Sequence, residues 1–154
     1  MQDADPGERW TSWDDVAVTE WERLGTINVD EAWHNRLVGA LDVSPSAADG
    51  LDGFVHPGVL ALQLLTRLQR HFVIPRPASD GPVATVQSRQ LTKFLQLIPN
   101  DASLQASGRV VEKRMDDHGA AVVMEAKVSD SSGAELLHHT QTVRYVSMSK
   151  VLAK

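Results

Sequence analysis

The 154-residue chain has no cysteine, so a disulfide framework, thiolate catalysis and cysteine-ligated zinc are all excluded. It also lacks any uncharged apolar run near the roughly 18 residues that argue for a membrane span. Residues 1–9 are polar and acidic, without the apolar core of a signal peptide. The expected location is therefore cytoplasmic. Lys and Arg are scattered and form no cluster of the kind that grips nucleic acid. Aromatic residues make up only 5% of the chain, and half of them are the tryptophans at 10, 13, 21 and 33. These read as core or interface anchors rather than a cofactor box. No internal repeat is visible.

What is present fits one soluble domain with a core of its own, since 42% of residues are hydrophobic and 23% charged. The expected organisation is a flexible start over 1–9, a single domain over 10–147 and a tail over 148–154. The net charge of -5 is unevenly spread: residues 1–60 hold twelve acids against three Arg, whereas 61–154 hold eight acids against twelve Lys and Arg. Ordinary solvated faces account for this, and a basic second half would also suit an anionic carrier or a phosphate-bearing substrate.

Trp10 to Ile27, with Val16, Val18 and Trp21 among acids, reads as an irregular strand. Asn28 followed by Glu31 matches a capping box, in which each side chain satisfies an orphan backbone N–H. Trp33, Leu37, Val38 and Leu41 then recur at helical spacing, which predicts an amphipathic helix over 29–41. The stretch 42–53, with Pro45, Gly50 and Gly53, is a loop. From Gly58 to Phe72, Val59, Leu60, Leu62, Leu64, Leu65 and Leu68 cover most of the circumference, which predicts a helix buried on nearly all sides. A breaker-rich link over 75–82 precedes four strand-like runs at 83–97, 104–115, 120–129 and 134–146. Turns separate them, so long antiparallel strands in a meander are expected. One buried helix followed by such a sheet is α+β, with the sheet curling around the helix.

This order of parts resembles the hotdog fold, and the loop resembles that of MaoC-like (R)-specific enoyl-thioester hydratases and dehydratases. Their motif runs Asp-x-Asn-Pro-x-His-x-Asp. Asp42, Pro45 and Asp49 match it, while Ser44 stands in place of Asn and Ala47 in place of His. Val55-His56-Pro57-Gly58-Val59-Leu60 resembles the family's Val-His-Gly-Met-Leu entry to the central helix, with an added Pro, and is also similar to the wording of β-hydroxyacyl carrier-protein dehydratases. In the latter a helix carboxylate six residues after the Pro does acid work; Gln63 occupies that position. Lys93-Phe94 to Pro99-Asn100-Asp101 resembles the Phe followed by Pro-Gly-Asp of both groups, so the similarity spans residues 26–146.

The resemblance implies a lyase-type enzyme acting on a coenzyme A or acyl-carrier-protein thioester, of 3-hydroxyacyl/2-enoyl or polyketide-like type, with no cofactor and no metal. It implies a homodimer or hotdog heterodimer with substrate tunnels at the subunit interface. Hydration needs one group to take a proton from water, another to deliver one to the α-carbon, and a donor facing the thioester oxygen. Asp42 and His56 are the candidate catalytic pair, the Gly58 N–H the candidate carbonyl donor, and Ser44, Asp49 and Gln63 the candidate substrate contacts. Ala47 cannot handle a proton. That loss opens two alternatives: a repurposed or non-catalytic hotdog subunit that shapes a tunnel or guides cyclisation, and a hotdog thioesterase. His34 falls on the exposed side of the 29–41 helix. His138 and His139 adjoin on a strand and point to opposite faces, which argues against a joint metal site. Ser44 and Ser46 lack a neighbouring His or Lys pattern that would make them nucleophiles.

Overall fold

The computed structural model describes residues 9–29, 32, 36, 39–40, 53–72, 74–77 and 83–147. In chain order its elements are β1 (Glu22–Asn28), α1 (Pro57–His71), β2 (Val83–Phe94), β3 (Ser103–Asp116), β4 (Gly119–Ser129) and β5 (Glu135–Ser147). They form one antiparallel sheet in the order β1-β3-β4-β5-β2, with α1 packed on one face. The α+β class and the helix wrapped by a long antiparallel sheet are as the sequence predicts. All four later strands lie within a few residues of their expected positions.

The central strands owe their place to alternation. On β4, Val122, Met124, Ala126 and Val128 are buried beneath the helix. Leu104, Ala106 and Val110 of β3 and Leu137 and Val143 of β5 extend the same layer. The meander covers β3 to β5 only. β2 does not pair with β3 but crosses to the far edge beside β5, from Val83 opposite Ser147 to Phe94 opposite Leu137. Its inner face explains this: Thr85, Gln87, Gln90 and Thr92 are too polar for a place under the helix but suit an edge.

The helix is not buried on nearly all sides. Its burial is confined to Val59, Leu60, Leu64 and Leu68, while Leu62 is 45% exposed and Gln69 and Arg70 are exposed. A single sheet can cover only one face of a helix, whatever the apolar content of the other. Close approach is permitted by small residues in the floor. A Cβ added to Gly108 would lie 2.7 Å from Leu68 Cδ2, 2.8 Å from Leu24 Cδ1 and 3.2 Å from the Glu125 carbonyl oxygen.

Polar contacts hold α1 toward β1. Arg67 donates from Nη1 to the Leu24 carbonyl (3.1 Å) and from Nη2 to the Thr26 carbonyl (2.9 Å). Leu24 lies in a bulge of the β1–β3 ladder, between Arg23 and Gly25, and Gly25 takes a φ of 98° beside it. Where β1 begins, Glu22 pairs with Arg9 and with His71 Nε2 (3.1 Å) at the end of α1. The hydrogen bond from Arg9, followed by that from His71, lowers the Glu22 pKa against a partial desolvation cost.

Residues 10–27 form a strand only from Glu22 onward. Earlier residues run irregularly because their contacts are anchors rather than a ladder. Thr19 N donates to the Val110 carbonyl and Val110 N to Thr19 Oγ1, at 2.9 and 3.0 Å. Trp10 stacks on Phe72, Trp13 meets Tyr145 edge-on, and Val18 stays exposed. Ala32, Arg36, Gly39 and Ala40 are helical and exposed, as the polar side of the expected 29–41 helix should be. Its apolar residues, Trp33 included, and His34 lie outside the described residues.

Gly108→Ala should cost about 1–3 kcal/mol through overpacking, and Leu60→Ala about 2–5 kcal/mol through a cavity. Urea unfolding at constant m-value would measure both. A neutral Gly108→Ala would mean that the helix does not sit as close as described.

Candidate active site

The entry to α1 is built by a short cross-connection. Val55 N donates to the Ile98 carbonyl at 2.7 Å and Asn100 N to the Gly53 carbonyl at 3.0 Å, with Phe54 bridged to Pro99. Gly53, at φ 79°, makes the preceding turn. Pro57 then opens the helix, where its missing N–H costs nothing and its fixed φ is already helical. His56 is the N-cap, with extended backbone at φ -63° and ψ 130°.

The His56 ring folds over the first turn and accepts a hydrogen bond at Nδ1 from Gly58 N, at 3.1 Å. An accepting Nδ1 carries no proton, so the neutral ring has its hydrogen on Nε2. Gly58 suits this arrangement because a Cβ there would come within 3.3 Å of Nδ1. The first turn contains no acid, so the imidazole nitrogen is the electron-rich group that meets the positive end of the helix dipole there.

The structure thus brings together two of the expected site residues, and it does so by bonding them to each other. The Gly58 N–H expected to face a thioester oxygen is donated to His56. Gln63, seven residues after His56 and four before Arg67, lies on the side of α1 that turns toward β1 and is half-buried. Asp42, Ser44 and Asp49, like Ala47, lie outside the described residues. Asn100 Oδ1, beside the same entry, is buried with no hydrogen-bond partner among the described residues.

A second polar group lies on the inner face of the sheet. His139 and Gln141 of β5 are both 0% exposed. Thr92 Oγ1 is 2.8 Å from His139 Nδ1, and His139 Nε2 is 3.4 Å from Gln141 Oε1. Gln141 Nε2 is buried without a partner among the described residues. Burial lowers the His139 pKa and outweighs the opposing effect of the Gln141 contact. His138 faces the other way, toward Trp21 and Glu125, so the two histidines do point to opposite faces. Among the described residues no group of three His, Asp or Glu could hold a metal ion, and no helix is long and apolar enough to cross a membrane.

The inward-facing polar group was missed in the sequence. Its signal was available: Leu137, His139, Gln141, Val143 and Tyr145 alternate on one strand, and two of these five same-face positions are polar. Because His139 is neutral in the core, its unfolded form binds protons first. Stability should therefore fall as pH drops below about 6.5, the value for exposed His, and level off beneath the lowered folded value. In His139→Gln this slope should flatten, as thermal melts from pH 8 to 5 would show; an unchanged slope would place the titrating group elsewhere.

No family model matches the chain, and no curated protein is similar to it. Solved structures are. A monoamine oxidase regulatory protein from Archaeoglobus fulgius superposes with a TM-score of 0.64 at 16% identity, over 88% of this chain and 94% of that one. A C-terminally truncated HadBC (3R-hydroxyacyl-ACP dehydratase) complex from Mycobacterium tuberculosis gives 0.61 at 16%, over 80% and 93%. The (R)-hydratase from A. caviae involved in PHA biosynthesis gives 0.60 at 16%, over 84% and 96%. With the helix and sheet order described above, these likenesses establish that the chain has the hotdog fold.

Proposed function

We propose that the protein is a hydratase- or dehydratase-like enzyme for acyl thioesters, carried by coenzyme A or an acyl carrier protein, with a 3-hydroxyacyl/2-enoyl or polyketide-like acyl group. The observation that carries this reading is the entry of α1, where His56 and the Gly58 N–H are held side by side at the positive end of the helix. A substrate oxygen placed there competes with His56 for that donor. The N–H then faces the thioester oxygen as enolate charge develops. In hydration Asp42 takes a proton from the water that attacks the β-carbon, and His56, protonated from solvent, delivers one to the α-carbon. The retained Asp42, Pro45 and Asp49 support the reading, as does the likeness of the fold to proteins described as a dehydratase and a hydratase.

Ala47 favours a second reading, a hotdog subunit that shapes a tunnel or guides cyclisation for another reaction. Loss of one member of an acid/base pair forfeits about 10²–10⁴ in rate. Hydration of crotonyl-coenzyme A separates the two. The expected result is slow turnover, abolished in Asp42→Asn and raised on the order of 10²-fold in Ala47→His. Turnover indifferent to Asp42→Asn would remove the assigned role, and none in either wild type or Ala47→His would favour the second reading.

A second copy of the chain is the proposed partner, seated along β2. That strand is a sheet edge of 12 residues, and Leu91 and Val86 on its outer face are 57% and 45% exposed. A long edge with apolar side chains is a template for strand pairing. Sedimentation should give a dimer, converted toward monomer by Leu91→Lys with Val86→Lys; a wild-type monomer at micromolar concentration would exclude it.

A further inference from the structure

Five neutral hydrogen-bonding side chains form a lane on the inner face of β2 and β5. Thr92 is opposite His139 and Gln90 opposite Gln141, while Gln87 is opposite Val143 and donates from Nε2 to Gln90 Oε1 at 2.8 Å. The lane passes from exposed Gln87 and Gln90 to fully buried Gln141 and His139. Its open end exists because α1 packs on β1, β3, β4 and β5 and leaves β2 largely uncovered. From Thr85 to Phe94 and from Leu137 to Tyr145, no residue on this face carries a fixed charge.

At the buried end the hydrogen bonding does not close. With Thr92 donating to His139 Nδ1 and His139 Nε2–H donating to Gln141 Oε1, the Gln141 amide N–H groups point at nothing among the described residues. Reversing the carboxamide merely orphans its oxygen instead. Leaving such a group unpaired in the core is unfavourable, and an apolar residue of similar size would satisfy the fold better.

We propose that Gln141, positioned by His139 and Thr92, is a specificity residue that binds an oxygen on the acyl chain, so that the preferred substrates are hydroxy- or oxo-acyl thioesters rather than plain saturated ones. The proposal rests on the acyl-thioester reading above. A neutral lane suits a neutral oxygen, because a carboxylate or phosphate drawn into it would lose hydration without gaining a cation. The pairing through β2 does not obstruct it, since strand pairing uses the edge and the lane lies on the inner face.

Calorimetric binding of two coenzyme A thioesters of equal length, one saturated and one with a single oxo group along the chain, tests this without turnover. Wild type should bind the oxo form about three- to tenfold more tightly, as one neutral hydrogen bond allows. Gln141→Leu should erase that preference while holding the saturated chain at least as well. Gln141→Met is the second variant in case Gln141→Leu fails to fold, with melting temperature checked for each. Equal wild-type affinity for the two thioesters overturns the proposal alone and leaves a buried water as the amide's partner. A preference that survives in a folded Gln141 variant also overturns it. Binding of neither thioester by wild type overturns the acyl-thioester reading and this inference with it.

Discussion

Arg67 captures two β1 carbonyls and so ties α1 to one edge of the sheet. A guanidinium offers parallel donors in a fixed fork, and charge-assisted bonds to carbonyls are stronger than neutral ones. The bulge of β1, between Arg23 and Gly25, lies at the first of the two carbonyls that receive it, that of Leu24. A Cβ at Gly25 would be 3.4 Å from Arg67 Nη1, so bulge and clamp fit one another. With Glu22 holding His71 a turn further on, the second half of α1 is tied to the β1 edge of the sheet. α1 spreads its contacts over β1, β3, β4 and β5, and the inner face of β2 beyond them stays exposed, with the open end of the polar lane.

The same clamp matters at the other end of α1. The helix is fixed along its buried stripe by Leu60, Leu64 and Leu68 over small floor residues, and its start is tied to Ile98 through Val55. His56 and Gly58 thus lie between two fixed points, and the link between them is the bond from Gly58 N to His56 Nδ1. An imidazole is an uncommon N-cap, because Ser, Thr, Asp or Asn ordinarily supplies it. His56 supplies the cap through Nδ1, so surrender of the Gly58 N–H to a substrate oxygen alters cap and ring together.

How far the sequence discloses this arrangement depends on whether the signal is local. Strand alternation and turn residues such as Asp116 to Gly119 and Asp130 to Gly133 are local, and they locate β3, β4 and β5 closely. The helix start is local as well, since Pro57 after His56 marks it. Strand order is not local. That β2 lies beside β5 depends on which strand can spare an apolar inner face, and the polar face of Thr85, Gln87, Gln90 and Thr92 is the clue that a run-by-run reading passes over. The exposure of Leu62 was illegible for a related reason: apolar content around a helix does not say how many faces the rest of the chain can cover. The bond between His56 and Gly58 depends on a ring torsion, which no residue pattern encodes. Asp42, Ser44 and Asp49 were legible only as a resemblance.

The two polar features answer to different pressures. The His56 cap meets a need of the helix itself, since the first turn of any helix needs an acceptor. Gln141 has no such need. It occupies an inward position on a strand, between His139 and Val143 on the same face, where a leucine would add to the core instead of subtracting from it. An unpaired buried amide costs about 1–3 kcal/mol, against a total stability of about 5–15 kcal/mol for an ordinary domain. His139 and Thr92 do not remove that cost; they hold the carboxamide in a fixed orientation and leave its far end unmatched among the described residues. Fold stability alone therefore argues against this residue, whereas recognition of an incoming oxygen argues for it, and the uncovered face of β2 gives such an oxygen a way in.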